Sequence, residues 1–167
     1  FKNCTSLSEV NFSNNAFNNS EEKVLNELVF ENCTSLKEIT LPDSITTIKE
    51  NAFKDATSLL TINTKANEID SNAFNNTAFS KSFTDGIVNF NGILLQYTGH
   101  ASNVVIPSDV KIIGKNAFKG NSKVVTIHIP TNVETIKESA FENCFALKEI
   151  IVDGKASSLN DIENNAF

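Results

Sequence analysis

The strongest constraint on this chain is a phenylalanine that returns at a near-constant interval with the same apolar residues in between. Read from Phe30, the positions Cys33, Leu36, Ile39, Leu41, Pro42, Ile45, Ile48 and Ala52 lead to Phe53, twenty-three residues on. From Phe118 the same offsets hold Asn121, Val124, Ile127, Ile129, Pro130, Val133, Ile136 and Ala140 before Phe141. Agreement at so many positions defines an internal repeat, and a repeat of this length is one supersecondary unit stacked many times.

The remaining units follow with edits. Phe53 passes through Ala56, Leu59, Ile62, Thr64, Ala66, Ile69 and Ala73 to Phe74 in 21 residues, shortened where the proline would stand. Phe141 passes through Cys144, Leu147, Ile150, Val152, Leu159, Ile162 and Ala166 to Phe167 in 26, lengthened by "DGKASS". Phe1 passes through Cys4, Leu7, Val10, Phe12 and Leu25 to Phe30 in 29, swollen by "SNNAFNNSEEKV". The unit opened by Phe74 resumes the template only at Val104, Ile106, Pro107, Val110, Ile113 and Ala117, so it carries an insertion of about 21 residues. Six coils therefore start near residues 1, 30, 53, 74, 118 and 141 of a single array over 1–167, with the insertion at about 79–100.

Each part of the template has a local reading. The stretch L-x-x-I-x-L ends in alternation of period two, which predicts a short strand with one buried face. The proline after it ends the strand, because proline cannot donate to a ladder. Asn51, Asn72, Asn116, Ser139 and Asn165 stand before Ala-Phe. These are residue types that cap helix N-termini, so one turn of α- or 3₁₀-helix is expected to carry the alanine and phenylalanine inward. A lone coil buries too little apolar surface to offset the ordering of its backbone, so the coils must stack strand on strand and ring on ring.

The template L-x-x-I-x-L-P-x-x-I-x-x-I-x-x-x-A-F-x-x-C resembles the leucine-rich repeats of the BspA-like, or Treponema-type, class. "FENCTSLKEITLPDSITTIKENAF" and "FKGNSKVVTIHIPTNVETIKESAF" carry the likeness most closely, and it extends over essentially the whole chain. It implies an α/β solenoid: a right-handed superhelix of about six 23-residue coils. Short parallel strands would line the concave face and short helical turns the other, with one hairpin insertion. Members of that class are mostly secreted or surface-displayed microbial proteins, and those with a known role act in adhesion. The missing proline at Lys65 and Asp153 and the swollen first and fourth units are departures from the pattern. The chain starts and stops on a coil phenylalanine without a polar capping unit, so the expectation is a piece of a longer array that would associate end to end in isolation.

In such a repeat the residues between the apolar strand positions face outward. They are Glu9, Asn11, Lys37, Glu38, Thr40, Thr61, Asn63, Asn103, Val105, Thr126, His128, Lys148, Glu149 and Ile151. Singly each serves to solvate a sheet, whereas as a set they form the row on which a macromolecule would lie. Val105, His128 and Ile151 make the later strands less polar than the earlier ones. In the insertion, "DGIVNFNGILLQYTG" predicts strands at Ile87–Phe90 and Ile93–Tyr97 joined by Asn91-Gly92, a strong hairpin signal. As a projection it would offer Phe90 and Tyr97 to a ligand; as a spacer it would offer nothing.

Other residues point to structure rather than chemistry. Cys4, Cys33 and Cys144 occupy a column that elsewhere holds Ala56, Thr77 and Asn121, so they read as free thiols at a small buried position, with no Cys-His or CxxC spacing for a metal. Asn3, Asn32, Asp55, Asn76 and Asn143 form a polar column suited to hydrogen-bonding the turn. Asn3, Asn11, Asn18, Asn32 and Asn75 open N-x-S/T sequons, in a chain where asparagine makes up 24 of 167 residues. His100 and His128 have no nucleophile or carboxylate in a recognisable arrangement, so no catalytic residues, no metal and no cofactor are expected.

Composition limits the partners. The net charge is −6 and all 14 basic side chains are lysines, which leaves nucleic acid without an electrostatic footprint. No apolar run approaches the length of a membrane-spanning helix. The sequence reading is therefore an extracellular or cell-surface repeat module that binds a protein or glycan on host or microbial surfaces. Its alternative is a rigid stalk with no ligand of its own.

Overall fold

The computed structural model describes residues 1–13, 23–154 and 158–167. The sequon at Asn18 and most of the two lengthened segments lie outside the described residues. The chain is a β-solenoid of about six coils, and it divides into two compact units, Phe1–Phe83 and Thr84–Phe167.

In the first unit the strands are β1 (Val24–Leu25), β2 (Glu38–Thr40), β3 (Thr47–Ile48), β4 (Thr61–Asn63) and β5 (Glu68–Ile69), followed by α1 (Ala78–Lys81). β2 and β4 pair in parallel, with Glu38 opposite Thr61 and Thr40 opposite Asn63. β1, β3 and β5 form a second parallel sheet. The L-x-x-V-x-F stretch of the first coil forms no strand, although Leu7, Val10 and Phe12 are half-buried.

The second unit holds β6 (Ile87–Phe90), β7 (Ile93–Tyr97), β8 (Asn103–Val105), β9 (Ile112–Ile113), β10 (Thr126–Ile129), β11 (Thr135–Ile136), β12 (Glu149–Val152) and β13 (Asp161–Ile162). β12, β10 and β8 make its first sheet, and β13, β11, β9, β7 and β6 its second. The twenty-three-residue offset is the register itself: Thr126 lies opposite both Asn103 and Glu149, and His128 opposite both Val105 and Ile151.

Burial follows the template except in the last coil, where Val152 and Ile162 are 38% and 54% exposed. Phe30, Phe53, Phe74, Phe118 and Phe141 are each at most 2% exposed, and the isoleucines and leucines of the repeat surround them. The rings stack nearly flat, with centroids 5.2 Å apart from Phe1 to Phe30, 5.3 Å to Phe53 and 5.5 Å to Phe74. The backbone pairs alongside them: Phe53 N donates to Ala73 O at 2.8 Å and Phe118 N to Ala140 O at 2.7 Å. Each corner thus satisfies its own amides while burying a ring, as a dry interior requires.

The helical turns expected on the far side are absent from the regular coils. Hydrogen-bonded turns stand there instead, with Lys54 N donating to Asn51 O and Ala56 N to Phe53 O, both at 3.1 Å; the two-residue strands of the second sheets lie just before them, and α1 is the one helix among the described residues. The residues read as helix caps explain the difference. Asn51, Asn116, Ser139 and Asn165 have φ of 58°, 59°, 56° and 54°, whereas a helix N-cap needs extended backbone. Asparagine suits both places, because its short amide bonds locally and tolerates the left-handed region. The second polar column is left-handed too, with φ between 58° and 64° at Asn3, Asn32, Asp55, Asn76 and Asn143. Gly120 takes the same place in its coil at 72°. Two side-chain bonds run up this column, from Asn32 Nδ2 to Asn3 Oδ1 at 3.2 Å and from Asn76 Nδ2 to Asp55 Oδ1 at 2.7 Å.

The hairpin forms between the predicted ends, and Asn91 and Gly92 both have positive φ, 51° and 77°, as a type I′ turn demands. It is built into the stack rather than projecting from it. β7 pairs in parallel with β9, and Leu94 and Leu95 are fully buried.

Candidate functional site

Alternation decides which strand residues reach solvent. In β2, β4 and β8 the central residue is buried and both neighbours are exposed. The outward side of the first unit's sheet therefore carries Glu38, Thr40, Thr61 and Asn63, with Lys37 exposed just before β2. Asn63 Nδ2 donates to Thr40 Oγ1 at 3.2 Å, joining the two strands across their outer side. Glu9 and Asn11 are exposed and bonded to each other, Asn11 Nδ2 to Glu9 Oε1 at 2.8 Å, but they lie on no strand.

In the second unit two lateral rows cross three strands. One is Asn103–Thr126–Glu149 and the other Val105–His128–Ile151. Val105 is 63% exposed, while His128 and Ile151 are half-buried beside it. Lys148 is exposed immediately before β12. Near the start of β8, Lys123 Nζ lies 3.4 Å from His100 Nδ1.

The hairpin residues are placed otherwise than on an exposed projection. Tyr97 is 7% exposed and stacks on Phe118 at 5.1 Å, where the repeat would put a phenylalanine. Its hydroxyl oxygen accepts from Ala101 N at 3.0 Å. The alternative of a projecting, solvent-facing tyrosine does not describe Tyr97, whose buried ring opens the second unit's column. Phe90 is half-buried at the end of β6. Tyr97→Phe should keep the ring and lose that bond, costing about 1 kcal/mol in a urea melt. A loss of several kcal/mol would mean the hydroxyl does more than hold one amide.

Charges are treated differently on the two sides of a coil. Along the second sheet of the second unit and its turns, lysines meet glutamates one coil on: Lys111–Glu134 at 4.0 Å, Lys115–Glu138 at 2.6 Å, Lys119–Glu142 at 2.8 Å and Lys137–Glu163 at 2.6 Å. The hydrogen bond from Lys119 lowers the pKa of Glu142, and that from Lys137 lowers the pKa of Glu163. On the outward sides of the other sheets, Lys37, Glu38, Lys148 and Glu149 form no ion pair among the described residues.

The cysteines offer no reactive centre. All three are free, with Cys33 buried, Cys144 half-buried and Cys4 exposed, the last against the expectation of a buried column. Cys33 Sγ donates to Phe1 O at 3.2 Å and Cys144 Sγ to Phe118 O at 3.0 Å, each reaching the phenylalanine one coil back. Burial pushes both thiols up in pKa, away from the thiolate that nucleophilic chemistry needs. No group of three or more metal-ligating side chains occurs among the described residues, and no helix there is long and apolar enough to cross a membrane.

Two exposed apolar residues escaped the sequence reading. Leu60, 55% exposed, stands in the column of Lys37 and Lys148, and Phe145, 86% exposed, in that of Thr5, Thr34 and Thr57. For Phe145 the available signal was a break in a column of small and polar residues, whereas Leu60 shares its column with Val125.

Comparison with known proteins bears on the repeat. The family model described as BspA type leucine-rich repeat region matches six copies over residues 1–89 and 94–167. Among solved structures, a leucine-rich cell surface protein from Faecalibacterium prausnitzii is similar at 26% identity and a TM-score of 0.33, covering 81% of this chain and 31% of its own. A leucine-rich repeat protein of T. pallidum is similar at 26% identity and a TM-score of 0.40, covering 81% and 64%. The pneumococcal vaccine antigen PcpA is similar at 20% identity and a TM-score of 0.44, covering 74% and 40%. The chain thus spans less than two thirds of the length of each. Among curated proteins, none matches.

Proposed function

The chain belongs to the BspA-type leucine-rich repeat family, and on that premise we propose that it is a non-catalytic module binding a macromolecule through the outward sides of its first sheets. The setting is a secreted or surface-displayed microbial protein, and the ligand a protein or glycan of a host or microbial surface. One observation carries the reading. In the second unit the lysines and glutamates along the second sheet and its turns are matched one coil to the next, whereas Lys37, Glu38, Lys148 and Glu149 on the outward sheet sides have no intramolecular ion pair among the described residues. Charges left unpaired on a rigid, laterally ordered surface remain available to a partner, where they set orientation and encounter rate.

The test is direct. The immobilised protein is titrated with matrix proteins, host-cell surface extracts and glycans. Specific, saturable binding that weakens roughly tenfold on Glu38→Lys with Glu149→Lys supports the proposal. Absence of saturable binding to any of them at high concentration, or binding indifferent to both reversals, would favour a stalk that holds another domain away from the cell.

A further inference from the structure

Charge is spread unevenly along this chain. It holds 20 carboxylates against 14 lysines, and Glu9, Glu38 and Glu149 share one position of the repeat template. In β8 and β10 that position holds Asn103 and Thr126 instead. The stretches 98–106 and 121–129, which lead into and form those two strands, contain no Asp or Glu and carry His100, Lys123 and His128. One part of an acidic protein thus presents basic groups with no carboxylate on the same strands to neutralise them.

His100 and Lys123 are exposed and hold the same place one coil apart, with Lys123 Nζ 3.4 Å from His100 Nδ1. The backbone beneath both is held. Asn121 Oδ1 accepts from Lys123 N and from Val124 N, each at 2.9 Å, and the Tyr97 hydroxyl accepts from Ala101 N at 3.0 Å. Ser102 O joins the two stretches by accepting from Val125 N at 2.7 Å and from Thr126 N at 3.0 Å. Lys123 makes no ion pair among the described residues. An ammonium has three hydrogens to donate and one imidazole nitrogen takes one of them, so Lys123 keeps donors for a ligand. Next to the pair, Ser102 and Asn103 are exposed, and Val105 beyond them is 63% exposed. A cationic group, a hydroxyl, an amide and an apolar side chain therefore follow one another along the entry to β8.

We propose that this surface binds an acidic sugar, carboxylated or sulfated, at the end of a surface glycan. The proposal rests on the macromolecule-binding reading above and names its ligand. The anionic group lies against Lys123 and His100, the sugar hydroxyls bond Ser102 and Asn103, and an apolar face of the ring lies on Val105. Two observations favour a terminal acidic sugar over other anions. The chain has no arginine, the side chain whose planar fork best fits the carboxylates of an acidic peptide, whereas lysine acts as a point charge indifferent to the shape of the anion. A long polyanion would also run on to Glu149, next to Thr126 in the same lateral row, and meet the net charge of −6. A single terminal charge stays within the two strands that lack carboxylates.

The full chain is immobilised and titrated with sialyllactose, sulfated lactose, lactose and a glutamate-rich peptide. At least one of the two anionic saccharides should bind saturably and about tenfold or more tighter than lactose, and which of them binds separates carboxylate from sulfate. Lys123→Gln should weaken that binding roughly fivefold, and Lys111→Gln, on the opposite side of the coil, should leave it within about twofold. Lys123 is exposed, so an unchanged urea midpoint for Lys123→Gln shows that a loss of binding is not a loss of fold. Anionic saccharides that bind no better than lactose, indifference to Lys123→Gln, or a glutamate-rich peptide bound as tightly as the saccharides would each overturn the proposal. Macromolecular binding that weakens on reversing Glu38 and Glu149, with no response to the saccharides, keeps the sheet-face reading and removes this one. Saccharide binding that needs Lys123 while the two reversals change nothing does the opposite.

Discussion

Phe53→Ala should cost the Phe1–Phe83 unit about 3–5 kcal/mol, among the largest effects of any single substitution. The ring is fully buried and lies between Phe30 and Phe74 at 5.3 Å and 5.5 Å. Truncation leaves a gap with a flat ring above and below, each of which loses its stacking partner. The neighbouring backbone cannot collapse to fill it. Phe30 N is bonded to Ala52 O and Phe53 N to Ala73 O, so the spacing between coils is set by those bonds. A urea midpoint for this unit that moves by less than about 1 kcal/mol equivalent would show that the ring is outside the column.

Gly86→Ala should be comparably severe in the other unit, at about 2–5 kcal/mol, for a different reason. Gly86 has φ of +78°, and a Cβ there would lie 2.3 Å from Gly99 N and 2.4 Å from Gly99 Cα. Backbone cannot swing aside as a side-chain tip can, and Gly99 is itself pressed against the Tyr97 ring. The hairpin base must open or β7 must shift. Because the chain has one tyrosine and no tryptophan, tyrosine fluorescence reports on that site alone. Unchanged emission with full protection of β6 and β7 amides would mean that the close approach of the two glycines is not native.

How much of this was legible in the sequence depended on whether one residue type has one structural use. Phenylalanine and isoleucine at fixed offsets have one, and Phe30, Ile39, Ile48 and Phe53 are buried as the repeat requires. Asn91-Gly92 has one as well, and gave the hairpin ends. Asparagine at Asn51 or Asn116 has two, helix cap and left-handed corner, and the letters do not separate them. Tyr97 was hidden because its coil reaches the ring position from Leu94 in three residues, whereas Ile113 reaches Phe118 in five. The candidate surface was legible in part as an alternation, since Glu38, Thr40, Thr61, Asn63, Asn103 and Val105 are exposed about a buried residue while Thr126, His128 and Ile151 are half-buried. Its unpaired charges were not, because pairing depends on which lysine lies over which glutamate once the coils are stacked.

Those stacked charges bear on how an array of near-copies avoids assembling out of order. Lys111 and Lys115 belong to the coil opened by Phe74 and their partners Glu134 and Glu138 to the coil opened by Phe118, which in turn supplies Lys119 to Glu142 of the coil opened by Phe141. Exposed pairs of this kind add little to stability, because water screens them and both side chains lose freedom. Yet two coils of the first kind, brought together by a skipped repeat or by a neighbouring copy of the chain, would set two lysines against two lysines. The same small energies then act with opposite sign and in concert, so the arrangement selects against misordered stacking more than it strengthens the correct one.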